Sequence, residues 1–284
     1  MEALKKAIDK SQINKYGKLK GWDICNSLGL PSFGDVYILS DYINVDAPEI
    51  RQIFGDGPLL CRTDAPIGQG YKLIRGRDVR LDDINEYLRE VKKCTQDGVI
   101  LMSKHPSTML TGHYIPRYKT NGAIMVVFEK DDKILIDYVG AGFDVGDITR
   151  GKTIHTAIDI SWDSIYEKPE YNYRYSKMIN GGLFQISDEQ YKVSRENRIR
   201  ELTENLKEKD RVEIINFIPT KTPKLSYELF EKLYKECIDK IIYSEIRTTN
   251  KPYGIMMNIY EDKFCVFEVW NIERSLTKDI ELDR

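Results

Sequence analysis

An α+β fold with mainly antiparallel sheets is what this sequence predicts, on three observations. Segments of apolar residues at helical spacing are separate from short β-branched runs. The last two apolar runs, Tyr253 to Tyr260 and Phe264 to Trp270, are joined only by Glu261-Asp262-Lys263, a hairpin signature. The length of 284 residues fits one large domain or two packed lobes.

The elements follow in order. MEALKKAIDKSQINK reads as a short polar helix, and Lys20 to Pro31 as a helix stopped by Gly29 and Pro31, with a strand at Val36 to Leu39. Residues 57–80 combine a short apolar strand with a loop rich in Gly, Arg and Lys. Leu81, Ile84, Leu88 and Val91 mark one face of a helix from Leu81 to Lys93. Strands are expected at Val99 to Met102, Ala123 to Phe128 and Ile134 to Val139. Residues 165–191 are crowded with tyrosines and lack a clean period, which reads as an irregular insertion, a loop or a lid. Helices at Arg195 to Lys209 and Leu225 to Tyr243 precede the closing hairpin. The expected division is an N-terminal lobe, 1–98, and a C-terminal lobe, 99–284.

Composition narrows the function classes. Lys plus Arg, 43, nearly balances Asp plus Glu, 45, so the net charge of -2 gives no broad field for nucleic acid or an anionic membrane. Five cysteines, widely spaced and never paired as CxxC, suggest neither a disulfide framework nor a zinc site. With no signal-like leader and no apolar run of membrane-spanning length, a cytoplasmic protein is expected. HExxH, GxSxG, GxGxxG and the P-loop pattern are all missing.

Two glycine-rich stretches carry the candidate chemistry. Arg62, Lys72, Arg75 and Arg77, interleaved with Gly68, Gly70 and Gly76, supply the cations and backbone N–H groups that hold phosphates; a solvated basic loop is the alternative. In KILIDYVGAGFDVGDITRG a strand opens into Gly140, Gly142 and Gly146 with Asp137, Asp144, Asp147 and Arg150. That pattern suits either a close approach to a ligand or an acidic turn. Glu268 and Asn271 near the end of the last strand, with Asn258 on its neighbour, offer hard oxygen ligands for magnesium. Strand alternation puts Glu268 opposite to Val266 only where the strand bulges or ends.

Three pieces in chain order resemble ATP-grasp proteins of the phosphoenolpyruvate synthase and pyruvate phosphate dikinase type. They are Lys20-Gly21-Trp22-Asp23-Ile24 with Leu28-Gly29-Leu30-Pro31, the strand end Leu60-Cys61-Arg62-Thr63-Asp64, and the acidic glycine-rich run Ile136 to Gly151. The ending Phe267-Glu268-Val269-Trp270-Asn271-Ile272-Glu273-Arg274 is similar to the wider ATP-grasp pattern. Its spacing is one residue longer in each gap than Glu-x-Asn-x-Arg, and Asn258 stands where an acidic ligand is common.

The resemblance implies a two-lobed ATP-grasp-like architecture and an enzyme that uses Mg-ATP to activate a carboxylate or similar oxygen acceptor on a small molecule, as a ligase or phosphotransferase. It implies ATP held by Arg62, Lys72, Arg75 and Arg77, with adenine against Leu101, Ser103 and Lys104, or alternatively against Asp137-Tyr138-Val139. Magnesium would sit on Glu268, Asn271 and Asn258, with Arg62, Asp144 and Arg150 at the reacting group. Two other readings stay open: a noncatalytic nucleotide or anion sensor, and a nucleic-acid-processing or nucleic-acid-binding protein using the Arg62 to Arg80 loop and the tyrosines of 166–191.

Overall fold

The computed structural model describes residues 4–39, 45–67, 77–94, 98–128, 133–149, 155–161, 174–179, 182–185, 188–204, 206–221, 224–244 and 253–271. It is an α+β protein of two compact units, Met1–Tyr114 and Ile115–Arg284. The boundary falls later than the expected 98/99. The reason is strand pairing: the strand beginning at Val99 lies in the first unit's sheet, between two strands of that unit.

In the first unit, β1 (Leu4–Lys6), α1 (Lys10–Lys15), α2 (Gly17–Ser27), β2 (Tyr37–Leu39), α3 (Ala47–Phe54), β3 (Leu59–Asp64), β4 (Arg77–Val79), α4 (Ile84–Cys94), β5 (Val99–Lys104) and α5 (Pro106–Thr111) follow in order. The sheet runs β1-β2-β5-β3-β4, every neighbour antiparallel. Side-chain alternation splits it into two unlike faces. Leu39, Ile100, Met102, Leu59, Cys61 and Val79 share one, and they pack with Ile50 and Phe54 of α3 and with Ile84, Leu88 and Val91 of α4. The expected helical stripe is therefore this core. Burial in it raises the pKa of the Cys61 thiol well above its usual range. The opposite face carries Leu60, Arg62, Ser103 and Asp78.

Helix α2 begins with no cap from its own preceding residue. Asp64, at the end of β3, supplies one: Oδ2 accepts from Lys18 N–H at 2.7 Å and Leu19 N–H at 3.2 Å. A carboxylate at a helix N-terminus also meets the positive end of the dipole.

The second unit contains β6 (Gly122–Phe128), β7 (Lys133–Val139), α6 (Val145–Thr149), β8 (His155–Ser161), β9 (Arg174–Ile179), β10 (Gly182–Gln185), α7 (Asp188–Thr203), α8 (Glu208–Phe217), α9 (Tyr227–Leu233), α10 (Asp239–Ile242), β11 (Tyr253–Tyr260) and β12 (Lys263–Asn271). Its antiparallel sheet has the order β10-β9-β8-β7-β6-β11-β12. The segment read as an irregular insertion thus contributes β9 and β10, which extend the sheet from its β8 side. Helices α9 and α10 are continuous through a π-turn at Tyr234–Ile238, and Ser226 caps the start by accepting Leu229 N–H at 3.2 Å. The expected helix Leu225 to Tyr243 and closing hairpin both appear, the turn reduced to Glu261 and Asp262.

Ala123, Met125 and Val139 on one sheet face pack against Phe143, Ile148 of α6 and Ile214 and Ile218 at α8, with Ile199 and Leu202 of α7 alongside. Helices α7 and α8 are tied by reciprocal arginines. Arg195 of α7 donates to Ile215 O and Ile218 O at the end of α8, and Arg211 of α8 donates to Glu204 O and Leu206 O just past the end of α7. Each guanidinium satisfies carbonyls that a helix end leaves without intrahelical partners.

Candidate functional site

In the first unit, β3 places Arg62 between the two neighbouring strands, 8% exposed, with its guanidinium carbon 5.7 Å from the centre of the Phe33 ring. Phe33 is itself fixed because Trp22 Nε1 donates to Phe33 O and Gly34 O. A buried cation over an aromatic face is oriented as well as desolvated. Arg62 pairs with Leu101, and Leu60 pairs with both Ser103 and Asp78. Arg62, Leu101, Ser103 and Asp78 thus share one face, while Lys104 pairs with Leu59 and falls on the other. Leu101 lies mid-ladder, opposite Ile38 on one side and Arg62 on the other, where backbone groups are committed to the sheet. At Ser103 the β2 pairing has ended, since its last pair is Tyr37 with Met102.

Beside this face lies a buried polar chain that the sequence did not single out as a unit. His105 Nδ1 is 2.7 Å from Ser107 Oγ and accepts Ser107 N–H at 3.3 Å, capping α5. Nε2 of the same ring is 3.2 Å from Asp78 Oδ1, and Tyr114 O–H donates to Asp78 Oδ2 at 3.1 Å. In the sequence His105 is a histidine before a proline at the end of an apolar run, and nothing in RGRDVR marks Asp78.

In the second unit, Asp144 is the cap of α6. Its Oδ1 accepts Gly146 N–H at 2.7 Å, while Asp147 Oδ2 accepts Asp144 N–H at 2.9 Å, a reciprocal capping box. Arg198 from α7 closes the arrangement: Nη2 is 3.1 Å from Asp147 Oδ2, Nε donates to Gly142 O, and the guanidinium lies over Phe143. Gly142 is held at φ 84°, where glycine is favoured. The turn that follows β7 in the acidic glycine run is thus built around a helix start, where Asp144 and Asp147 are engaged. Arg198 carried no sequence signal beyond a charged helix.

The closing hairpin holds the oxygen donors. Met256 pairs with Glu268 but Met257 pairs with Val266, so Phe267 is the extra residue of a β-bulge. The bulge puts Glu268 on the face opposite to Val266 and on the same face as Asn258, whose partner is Cys265. Asn258 and Glu268 are diagonal neighbours, on the order of 7–8 Å apart at Cα. Asn258 is buried and its Oδ1 accepts Val145 N–H at 3.3 Å, leaving one lone pair on that oxygen. Asp137 stands farther along the Glu268 rung, beyond Met256 and Met125, wholly buried.

Lys72, Arg75 and Arg150 lie outside the described residues, as do the side chains of Arg77 and Asn271. By register, position 77 pairs with Cys61 and position 271 with Tyr253. Among the described residues no group of three or more His, Cys, Asp or Glu side chains gathers as a metal cluster, and no helix is long and apolar enough to cross a membrane.

No protein-family model matches the chain. No curated protein matches it either. Among solved structures, it is similar to D-alanine–D-alanine ligase from Bacillus anthracis complexed with ATP, at 13% identity and a TM-score of 0.37, covering 88% of this chain and 54% of that one. The Helicobacter pylori D-alanine–D-alanine ligase gives 11% identity and a TM-score of 0.42 over 94% and 56%, and a second Bacillus anthracis structure 14% and 0.41 over 92% and 58%. The chain spans little more than half the length of these ligases.

Proposed function

We propose that this chain is an ATP-grasp-like, Mg-ATP-dependent enzyme, a ligase or phosphotransferase that activates a carboxylate or similar oxygen acceptor on a small molecule. The observation that carries the reading is the bulge at Phe267, which sets Glu268 beside Asn258 on one sheet face. One carboxylate and one amide oxygen fit a magnesium ion that phosphates and water complete, since magnesium rarely takes an all-protein cage. Bound there, magnesium would neutralise charge on the phosphates. Arg62, buried and oriented by Phe33, would bind phosphate oxygens and stabilise charge developing on the transferred group. Lys72, Arg75 and Arg77 are proposed alongside it from the sequence, and the backbone of Ser103 is the first on β5 past the β2 pairing. Asp144 acts in this reading through the capped turn that it holds at α6, next to Asn258. Arg150 and Asn271 stay proposals from the sequence.

The test is the thermal unfolding midpoint with ATP, with Mg-ATP and with neither, for the wild type and for Glu268→Gln. A ligand at about 100 times its Kd stabilises by roughly 2.7 kcal/mol. The wild type is expected to gain most with magnesium present, and Glu268→Gln to lose the magnesium increment. No rise in the wild type, or the same increment in the variant, removes the assignment. One observation favours a second reading, a noncatalytic nucleotide or anion sensor: Asn258 Oδ1 already serves the α6 backbone. That protein would bind ATP without magnesium dependence and release no ADP or AMP.

A further inference from the structure

We propose that Met109 is an oxidation site: a hydroperoxide converts its thioether to the sulfoxide, and the sulfoxide releases the Phe33–Gly34 backbone that seats Arg62. The consequence for anion binding rests on the phosphate contact proposed for Arg62.

Accessibility singles out this sulfur. Met109 is 38% exposed on α5, whereas among the described methionines Met102 and Met257 are wholly buried, Met125 is 4% exposed and Met256 is half-buried. Yet its side chain is held in place. Sδ accepts the Gly34 N–H at 3.2 Å, and the terminal methyl lies so close to Gly34 that a Cβ built there would come within 2.7 Å of Cε. Gly34 O in turn accepts Trp22 Nε1 at 3.0 Å and Phe33 O accepts it at 3.3 Å, while the Phe33 ring centre is 5.7 Å from the Arg62 guanidinium carbon. One line of contacts thus joins a solvent-accessible sulfur to a buried cation.

A thioether is a weak acceptor with two lone pairs on sulfur. The Gly34 N–H engages one of them, and the other attacks the outer oxygen of a hydroperoxide. The S–O bond forms as the O–O bond breaks; sulfur gives up two electrons, and the proton of the transferred oxygen passes to the leaving oxygen, which departs as water or an alcohol. The product sulfur keeps one lone pair and carries a partial positive charge, so it no longer accepts from Gly34. The new oxygen is the stronger acceptor but stands one bond away, and the tight methyl contact leaves no room to bring it to the N–H without moving the 33–34 backbone. Movement there loosens Phe33 and with it the ring contact that orients Arg62.

Hydrogen peroxide treatment of the full chain tests this, read by peptide mass spectrometry and by the indole N–H resonances of the three tryptophans, with Trp22 assigned through Trp22→Phe. Met109 should gain one oxygen ahead of the buried methionines, and the Trp22 resonance should move in step with it. Methionine sulfoxide reductases should reverse both changes. Met109→Leu should show no peroxide response at Trp22, and Gly34→Ala, whose Cβ displaces the methionine, should move the same resonance without peroxide. Oxidation should also weaken ATP binding about threefold or more, as expected for the loss of a desolvated cation–π contact. Met109 oxidised no faster than Met102, or oxidised with the Trp22 resonance unmoved, overturns the proposal. A moved resonance with unchanged ATP affinity overturns the link to Arg62. An untreated chain that binds no ATP removes the proposed function, and the Trp22 resonance then decides the oxidation site by itself.

Discussion

Replacing Gly122 with alanine should cost the second unit about 4 kcal/mol, and the two parts of that figure come from different features of the backbone. Gly122 sits at φ 138°, a region that L-residues rarely enter, and holding alanine there costs about 1–3 kcal/mol. A Cβ built at this position would lie 2.3 Å from Val139 O and 3.2 Å from Gly140 Cα and carbonyl carbon. All three obstacles are backbone at the end of the β6–β7 ladder, so relief means moving a strand, and overpacking of this kind costs about 1–3 kcal/mol. Gly142→Ala is the comparison within the same unit. It carries a similar backbone strain at φ 84°, and its new Cβ meets Ile218 Cγ1 at 2.5 Å, a core side chain that shifts at less cost than a paired strand. It should cost about 3 kcal/mol, less than Gly122→Ala. Urea unfolding followed by circular dichroism reads both. Gly122→Ala within about 0.5 kcal/mol of the wild type, or milder than Gly142→Ala, would refute the claim that a rigid ladder end sets the cost.

Two further outcomes follow from the second unit. Arg198→Ala should destabilise by about 3 kcal/mol, because Asp147 is 1% exposed and loses its cationic partner at 3.1 Å, and Arg198→Lys should recover little of it, since lysine has no planar fork to reach both Asp147 and Gly142 O; a cost below about 1 kcal/mol in equilibrium unfolding contradicts this. Burial raises the Tyr191 phenol to about 12, while the unfolded phenol ionises near 10, so the unfolded state sheds its proton first as pH rises. The stability due to this group is complete below pH 10 and declines toward pH 12, and Tyr191→Phe should flatten that decline in a pH series of unfolding midpoints; an unchanged slope would rule Tyr191 out as its source.

How much was legible depended on whether a signal was local. The stripe Leu81, Ile84, Leu88, Val91 repeats at the helical period and became the core of the first unit, because a period needs only neighbours to be seen. β9 and β10 were hidden for the opposite reason: their partners are β8 and each other, and the tyrosine-rich stretch has no period of its own. α3, α5, α6 and α8 are short or weakly amphipathic, and caps such as Asp144 with Asp147 stabilise what periodicity does not announce. The site divides in the same way. Arg62, Glu268 and Asn258 stood out as charged or polar residues at strand ends, but the condition for Glu268 to face Asn258 was a bulge, and a bulge is a property of two strands in register.

What the sequence by itself determined is the α+β class, most of the longer elements and the type of donor available: an arginine at a strand end and an acidic residue on the last hairpin. Only tertiary structure decided which of these meet. Asp64 became the cap of a helix that starts 47 residues before it in the chain. Asp78, unremarkable in sequence, acquired His105 and Tyr114 from beyond β5. The physical reason is that helical and strand periods are set by bonds between near neighbours, whereas a charge finds its partner through sheet register and packing, which the local pattern does not encode.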